Sequence, residues 1–381
     1  MTIKVAHIVP SFYPAFAYGG PTESVYQLSR ALARQGAEIR VLTTDANGRH
    51  QTLEAPKDRE IQMADGLTVR YCRRQWPESI SASFLRFLPS YVRWADLVHL
   101  EAIYSFPTLP TLLMARLLHK PVVWSARGAL ARWRGARRPG LKSVYDRFCG
   151  FARGEKLIFH FTSEPEREAS LKRFAGLDGV VIPNGVHYPE AISHEARGEK
   201  LRLLYLGRLD PIKGIENLIE ACRRLNGPLK RKWQLTIAGG GDKRYVAALK
   251  TKIGELGLTE SVAMVGRVEG RDKEKLFEQA DVVVVPSHLE NFCIVVAEAL
   301  AHGVPVVASR GAPWPRLESE GCGVWVDNDP ESLARGIDRI SRMPLVEMGK
   351  KGRAWMRAEF SWDTIAAQTI RVYERMIGKG S

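Results

Sequence analysis

Short runs of almost unbroken apolar and β-branched residues alternate along this chain with longer segments whose apolar positions recur every three to four residues. The first pattern suits strands buried on both faces and the second suits amphipathic helices, so their alternation predicts parallel sheets of the α/β class. In the first half, strands are expected over 5–9, 38–43, 67–70, 96–100, 122–125 and 157–162, with helices over 21–35, 108–119, 142–152 and 164–174. The second half repeats the rhythm, with strands over 201–205, 233–238, 262–265, 282–285, 304–309 and 323–326. Its helices are expected over 214–224, 242–256, 273–279, 294–301 and 330–342. A last helical pattern runs on from Phe360 through Ile365, Ile370, Val372, Tyr373 and Ile377. Between the halves lies Val180-Val181-Ile182-Pro183-Asn184-Gly185-Val186, then a polar stretch from Pro189 to Lys200, and a hinge is expected there.

At 381 residues the chain exceeds what one core usually serves, which agrees with two domains. Two Rossmann-like domains with a ligand cleft between them are expected, residues 1–184 and 185–360. A composition of 45% hydrophobic and 26% charged residues is ordinary for a globular protein, and no apolar run approaches the roughly 20 residues of a membrane span. The opening residues Met1 to Val9 read as a first strand rather than a secretory signal, because polar residues interrupt a short apolar run. Cys72, Cys149, Cys222, Cys293 and Cys322 are scattered and form no Cys-x-x-Cys, so neither a zinc site nor a disulfide framework is indicated and a reducing cytoplasm is expected.

A net charge of +14 changes the picture, since it calls for an anionic partner or a heavily solvated face. The excess is densest from Arg127 to Lys156, where Arg132, Arg134, Arg137, Arg138, Lys142, Arg147 and Arg153 face only Asp146 and Glu155. Trp133, Tyr145, Phe148 and Phe151 are interleaved. A solvated basic helix explains this as well as a patch for phospholipid headgroups, at the inner membrane face, or for a pyrophosphate-linked acceptor. Nucleic acid is disfavoured, because no helix-turn-helix, zinc or ribonucleoprotein signature accompanies the charge.

The candidate chemistry gathers at strand-to-helix loops, where open α/β sheets bind ligands. Glu290 follows the run Asp281 to Val285 and precedes the apolar segment Ile294 to Ala301, which contains Glu298. The pair can address one ligand at two depths. The structural alternative is a helix cap and an ion-paired helical residue, and a carboxylate in so apolar a helix does need a partner. Leu206-Gly207-Arg208-Leu209-Asp210-Pro211-Ile212-Lys213-Gly214 sets two cations five positions apart, a clamp for a diphosphate as charge grows on a leaving group. Gly19-Gly20-Pro21 ends the first loop and frees a helix N-terminus for an anion. No Gly-x-Gly-x-x-Gly supports a nicotinamide site. His99 lies within an apolar strand and reads as a hydrogen-bonded core histidine.

Taken together, Gly-Arg-Leu-Asp-Pro-x-Lys-Gly, Ile-Pro-Asn-Gly-Val, Pro-Ser-x-x-Glu-Asn-Phe and Glu-Ala-Leu-Ala-x-Gly-Val-Pro-Val-Val-Ala-Ser resemble, in type and order, the family 4 retaining glycosyltransferases of GT-B fold. The resemblance spans nearly the whole chain and points to surface-polysaccharide or lipopolysaccharide synthesis. It implies an N-terminal acceptor-binding domain, 1–184, on which the last helix, 361–381, packs back, and a C-terminal nucleotide-sugar domain, 185–360. It implies that Arg208 and Lys213 hold the donor pyrophosphate near the Gly19–Gly20 backbone, that Glu290 lies near the donor sugar and that Glu298 binds the ribose. The backbone around Val268 would meet the base, and Asn291, Phe292 and Cys293 would shape the donor pocket. Neither metal nor cofactor is implied beyond the nucleoside diphosphate sugar itself. The proton of the acceptor would pass to the departing phosphate oxygen.

Three departures bear on this. Cys293 stands where relatives often carry Gly, and is read here as a small buried side chain. Glu101 and Arg127 stand where relatives often carry His, and become acceptor-side candidates, one for a hydroxyl and one for an anion. A silent sugar- or nucleotide-binding module, an epimerase or a pyridoxal-dependent phosphorylase of the same architecture remain alternatives.

Overall fold

A computed structural model describes residues 2–378, apart from 77–78, 131–138, 175, 193–197 and 226–231. The chain divides into two units, Met1–Gly185 with Trp362–Ser381, and Val186–Ser361.

The first unit runs β1 (Lys4–Ser11), α1 (Gly20–Arg34), β2 (Glu38–Thr44), β3 (Glu60–Ala64), β4 (Leu67–Cys72), α2 (Ala82–Trp94), β5 (Leu97–Glu101), α3 (Thr108–Leu117), β6 (Val122–Ser125), α4 (Pro139–Ala152), β7 (Leu157–Phe161), α5 (Glu164–Leu171) and β8 (Asp178–Val181). Its sheet has the order β3-β4-β2-β1-β5-β6-β7-β8. Every pairing is parallel except the β3–β4 edge hairpin. The chain leaves β1 in one direction and returns to β5 on its other side, so the switch point lies between β1 and β5.

The second unit runs β9 (Leu201–Leu206), α6 (Ile215–Leu225), β10 (Trp233–Ala238), α7 (Lys243–Glu255), β11 (Val262–Gly266), α8 (Gly270–Gln279), β12 (Val282–Val285), α9 (Ile294–Ala301), β13 (Val306–Ser309), β14 (Gly323–Val326), α10 (Pro330–Ser341) and α11 (Leu345–Glu359). All its strands pair in parallel, in the order β11-β10-β9-β12-β13-β14, and the switch falls between β9 and β12. A final helix, α12 (Trp362–Met376), belongs to the first unit and packs against α1. The two chain crossings lie side by side, since Val186 bridges Ser361 and donates its N–H to the Phe360 carbonyl.

Each sheet carries a core on each face, as period-two alternation requires. In the first unit Val5, Val9, Ile39 and Val41 pack toward α1 and α12, while Ala6, Ile8 and Leu42 pack toward α2, α3 and α4. In the second, Leu203, Tyr205 and Val284 pack toward α6 and α10, and Leu204, Val283 and Val285 pack toward α9 and α11.

Four elements differ from the sequence expectation. The edge strand β3 is largely exposed and so lacks an apolar run. The short strand β8 is only half-buried and contains Gly179. Helix α2 carries Pro89 internally, although Ser81 caps it by accepting from the Phe84 N–H. Helix α11 contributes glycines where an apolar stripe would be sought: a Cβ on Gly349 would lie 2.0 Å from the Gly303 carbonyl, and one on Gly352 would lie 2.7 Å from Leu300 Cδ2. That close approach of α11 to α9 predicts that Gly349→Ala, which must push the helices apart, lowers the stability of the second unit by about 1–3 kcal/mol in a denaturant titration.

Candidate active site

The β9/β12 switch brings two distant loops together. After β9, Asp210 Oδ1 accepts from the Ile212 N–H at 3.1 Å and starts a single 3-10 turn, Pro211–Lys213, which Gly214 ends in the left-handed region at φ 63°. This fixes Lys213 at the carboxyl edge of the sheet. After β12, the loop from Pro286 to Cys293 is clamped by backbone: the His288 N–H donates to Ile212 O and the Glu290 N–H donates to Gly311 O, both at 2.8 Å. A Cβ on Gly214 would lie 2.1 Å from Pro286 O, and one on Gly311 would lie 2.2 Å from Ser287 O. Only glycine permits these approaches.

Lys213 Nζ therefore meets Glu290 Oε1 at 2.6 Å, across 77 residues of sequence, and Ser287 Oγ donates to the same oxygen at 2.7 Å. Both partners are mostly shielded from solvent. Arg208 is different. Its side chain is 68% exposed and lies 3.7 Å from Asp210, while Tyr205 donates to the Arg208 carbonyl and holds the turn. Lys213, Glu290 and Arg208 thus lie on the two loops flanking one switch point, Lys213 paired with Glu290 and Arg208 facing solvent beside Asp210.

Behind them, Cys293 ends the loop with φ 64° and ψ 68°, a left-handed conformation disfavoured for any side chain. Its thiol is buried, and burial, then the charge of Glu290, pushes it well above the usual thiol range. The group is a packed neutral thiol and not a nucleophile. Phe292 is buried against Trp314 and Phe360, and its carbonyl accepts from Trp314 Nε1 at 2.6 Å. Asn291 is half-buried beside it. Glu298 does find the partner its apolar helix demanded: Lys273 Nζ of α8 lies 2.6 Å from its Oε1. Val268, in the loop after β11, packs against the core cluster around α9.

The remaining candidates lie in the first unit. Gly19 (φ 72°) precedes α1, which begins at Gly20, with Pro21 in its first turn. Glu101 and Arg127 form one ion pair, from Arg127 Nε to Oε2 at 2.7 Å and from its terminal nitrogen to Oε1 at 2.9 Å, while its other terminal nitrogen donates to Asn184 at 2.8 Å. Any acceptor group reaching either residue would compete with that pair. Arg132, Trp133, Arg134, Arg137 and Arg138 of the basic stretch lie outside the described residues.

Sequence reasoning missed a network on the α12-facing side of this sheet. His7 and His99 are register partners on β1 and β5, which stacks their rings with centroids 4.6 Å apart. His7 bonds Ser29 at 3.0 Å and Glu101 at 3.2 Å. His99 bonds Ser125 at 2.8 Å and Tyr373 of α12 at 2.5 Å, and His160 bonds Ser125 at 2.8 Å and Ile182 O at 2.9 Å. The available signal was positional: polar residues at alternate positions of neighbouring strands share one face. His7, His99 and Glu101 offer three ligand atoms within 4.8 Å, a spacing that suits a metal. The hydrogen bonds just described already occupy those atoms, and the Arg127 guanidinium beside them opposes a further cation.

Comparison with known proteins follows the same division. A family model described as Glycosyltransferase Family 4 matches residues 18–188, and one described as Glycosyl transferases group 1 matches 190–355. An uncharacterized glycosyltransferase of Methanocaldococcus jannaschii is 39% identical over 180 residues, covering 45% of this chain and 44% of that protein. A GDP-mannose:cellobiosyl-diphosphopolyprenol alpha-mannosyltransferase of Xanthomonas campestris is 28% identical over 99% of this chain and 98% of its own. Among solved structures, a sucrose-phosphate synthase from Thermosynechococcus elongatus superposes with a TM-score of 0.75 at 23% identity, covering 99% of both chains, a likeness of fold.

Two predictions arise from this geometry. Burial lowers His99 well below the ordinary 6.5 and His160 to about 4, so both are neutral when folded. Burial alone would raise the Glu101 carboxyl, but Arg127 and the hydrogen bonds from Arg127 and His7 hold it well below its usual range. All three groups bind protons more readily when unfolded. The histidine contribution is complete above pH 6.5 and is lost as pH falls below it, and the Glu101 contribution is lost below about pH 4.5. Melting curves should therefore show falling stability below pH 6.5, and His160→Gln should flatten the part between 6.5 and 4 by up to about 3 kcal/mol. An unchanged slope would remove His160 from the account. Separately, Cys293→Val should cost about 1–3 kcal/mol through left-handed strain, whereas Cys293→Gly should stay within about 1 kcal/mol of the parent in the same measurement.

Proposed function

The chain belongs to the family 4, group 1 glycosyltransferases and has their GT-B fold, and from that premise we propose that it is a retaining enzyme transferring a hexosyl unit from a nucleoside diphosphate sugar to a hydroxyl of a glycan or lipid-linked acceptor, in cell-surface polysaccharide synthesis. The observation that carries this reading is the Lys213–Glu290 pair at the β9/β12 switch, with the Arg208 guanidinium exposed on the same loop as Lys213. The Xanthomonas relative named above, which matches over nearly its full length, acts by its name on a diphosphopolyprenol-linked sugar, and this supports the lipid-linked class of acceptor.

In this reading Arg208 offers its planar fork and Lys213 its ammonium to the two phosphates of the donor. As the bond from sugar C1 to the diphosphate oxygen breaks, negative charge collects on that oxygen, and the two cations stabilise it without metal or cofactor. The acceptor oxygen forms its bond to C1 on the same face, and its proton passes to the departing phosphate oxygen. Glu290, held by Ser287 and Lys213, positions the donor sugar; Glu298, steered by Lys273, binds ribose hydroxyls; the backbone at Val268 meets the base. Asn291, Phe292 and Cys293 shape the sugar pocket.

The test combines binding and turnover. Uridine, guanosine and adenosine diphosphate sugars are screened by thermal shift, since a ligand selective for the folded state raises its melting point. With the donor so found, Arg208→Ala, Lys213→Ala and Glu290→Gln should each lower kcat/KM for transfer by roughly a hundredfold or more. Arg208→Ala, at an exposed position, should melt like the parent. Donor binding without transfer or donor hydrolysis would make the protein a silent module.

A further inference from the structure

The loop that carries Glu290 ends in a peptide group with two available orientations. The peptide between Phe292 and Cys293 is trans, so its carbonyl and its N–H point in opposite directions. Turning that one plane over exchanges the two groups, changes ψ of Phe292 and φ of Cys293, and leaves the chain on either side in place. In the observed orientation Cys293 has φ 64°. The other orientation takes it to a negative φ, which a residue with a side chain prefers. The backbone of Cys293 by itself therefore favours the flipped peptide.

Trp314 opposes that flip. Its indole N–H, the one polar group of the side chain, donates to the Phe292 carbonyl at 2.6 Å, and the ring is buried. A flip would lose this bond and leave a buried donor without an acceptor, which is costly. The indole is not free to follow the carbonyl. It packs edge-on against Trp355 with centroids 5.6 Å apart, and lies 5.2 Å from both Phe360 and Phe292. Its own backbone N–H donates to Ala312 O at 2.8 Å, an oxygen that Trp325 Nε1 also reaches at 3.0 Å.

With the carbonyl held toward Trp314, the Cys293 N–H faces the opposite way. It joins the first N–H groups of α9, which have no acceptor within the helix. The charges of Glu290 and Lys213 both act on the Cys293 thiol, so this peptide lies beside that pair. A flip would set a carbonyl oxygen among those donors and oppose an oxygen-rich, anionic ligand there.

We propose that Trp314 is a positioning residue for the transfer reaction: its indole N–H locks the Phe292–Cys293 peptide with the N–H presented to the sugar nucleotide, against the left-handed strain at Cys293. Trp314 acts through this peptide and not by touching the donor. The role rests on the reading of the site given above and adds to it a residue that the motif pattern does not single out.

The test is a double-substitution cycle. Trp314→Phe keeps an aromatic ring in the cluster and removes the N–H; the space it leaves is the same in the parent and in Cys293→Gly, so comparing the two backgrounds isolates the lock. Glycine adopts the left-handed φ without steric cost, which removes the drive to flip. With the donor found by the thermal-shift screen, Trp314→Phe should lower kcat/KM for transfer roughly tenfold or more in the parent, and by less than about threefold in the Cys293→Gly background. Parental kcat/KM in Trp314→Phe, or the same fold-loss in both backgrounds, overturns the proposal. Denaturant titration without donor reads the lock apart from transfer. The midpoint should drop less when Trp314→Phe is made in the parent than in Cys293→Gly, because flipping relieves strain only where Cys293 is present. Equal drops overturn the lock even where transfer is found. Unequal drops in a protein that transfers from no donor support the lock and overturn the transfer reading alone.

Discussion

The grip of backbone on backbone around the loop after β12 is the constraint on which the second unit depends. Glu290 reaches Lys213 because its loop is wedged between Gly214 and Gly311, where any Cβ would collide with a carbonyl. Hydrogen bonds from His288 to Ile212 O and from Glu290 to Gly311 O then fix its register. The ion pair is a consequence of this grip rather than its cause. A part-exposed Lys–Glu pair contributes little to stability by itself, of the order of 1 kcal/mol or less. What the glycines provide is position, and a charge held in position before reaction is what electrostatic catalysis requires.

The carboxylate that looked most unusual in the sequence is also the one whose environment is most ordinary. Glu298 lies in an apolar helix and finds Lys273 one helix away, so its burial is balanced locally. A ribose binding there would share that ion pair rather than create a new one. The same logic applies in the first unit, where Glu101 and Arg127 neutralise each other and Arg127 also holds Asn184, two residues before the chain crosses into the second unit. Arg127 adopts φ 51°, a conformation that costs energy and persists only where surrounding contacts fix it. Three partnered donors provide that fixing.

What could be read from the sequence divides along physical lines. Strands buried on both faces announced themselves, because a run such as Val282 to Val285 is apolar at every position. The loops carrying Arg208, Lys213 and Glu290 were legible for a related reason: each follows such a strand and is bracketed by residues with restricted backbone choices. The edge strand β3 and helix α11 were not legible, since one is exposed and the other interleaves its buried apolar residues with Gly349 and Gly352. The histidine network was hidden for a third reason. His7, His99 and His160 are isolated polar positions among apolar neighbours, and their grouping depends on the order β1-β5-β6-β7, which no local pattern contains. Cys293 was visible as a departure, but its significance lies in a dihedral angle.

These differences assign separate physical tasks to the two units. In the second, catalytic candidates sit on loops whose backbones are locked by glycine contacts, so their side chains can face a ligand without the loop being reorganised. In the first, Glu101, Arg127 and the three histidines are turned inward and satisfy one another, and the last helix is tied to them through Tyr373. Neutral, buried and hydrogen-bonded, His99 and His160 favour one arrangement of the strands they join, a preference lost when they are protonated. Consequently Glu101, Arg127 and the histidines of the first unit are committed to its own structure.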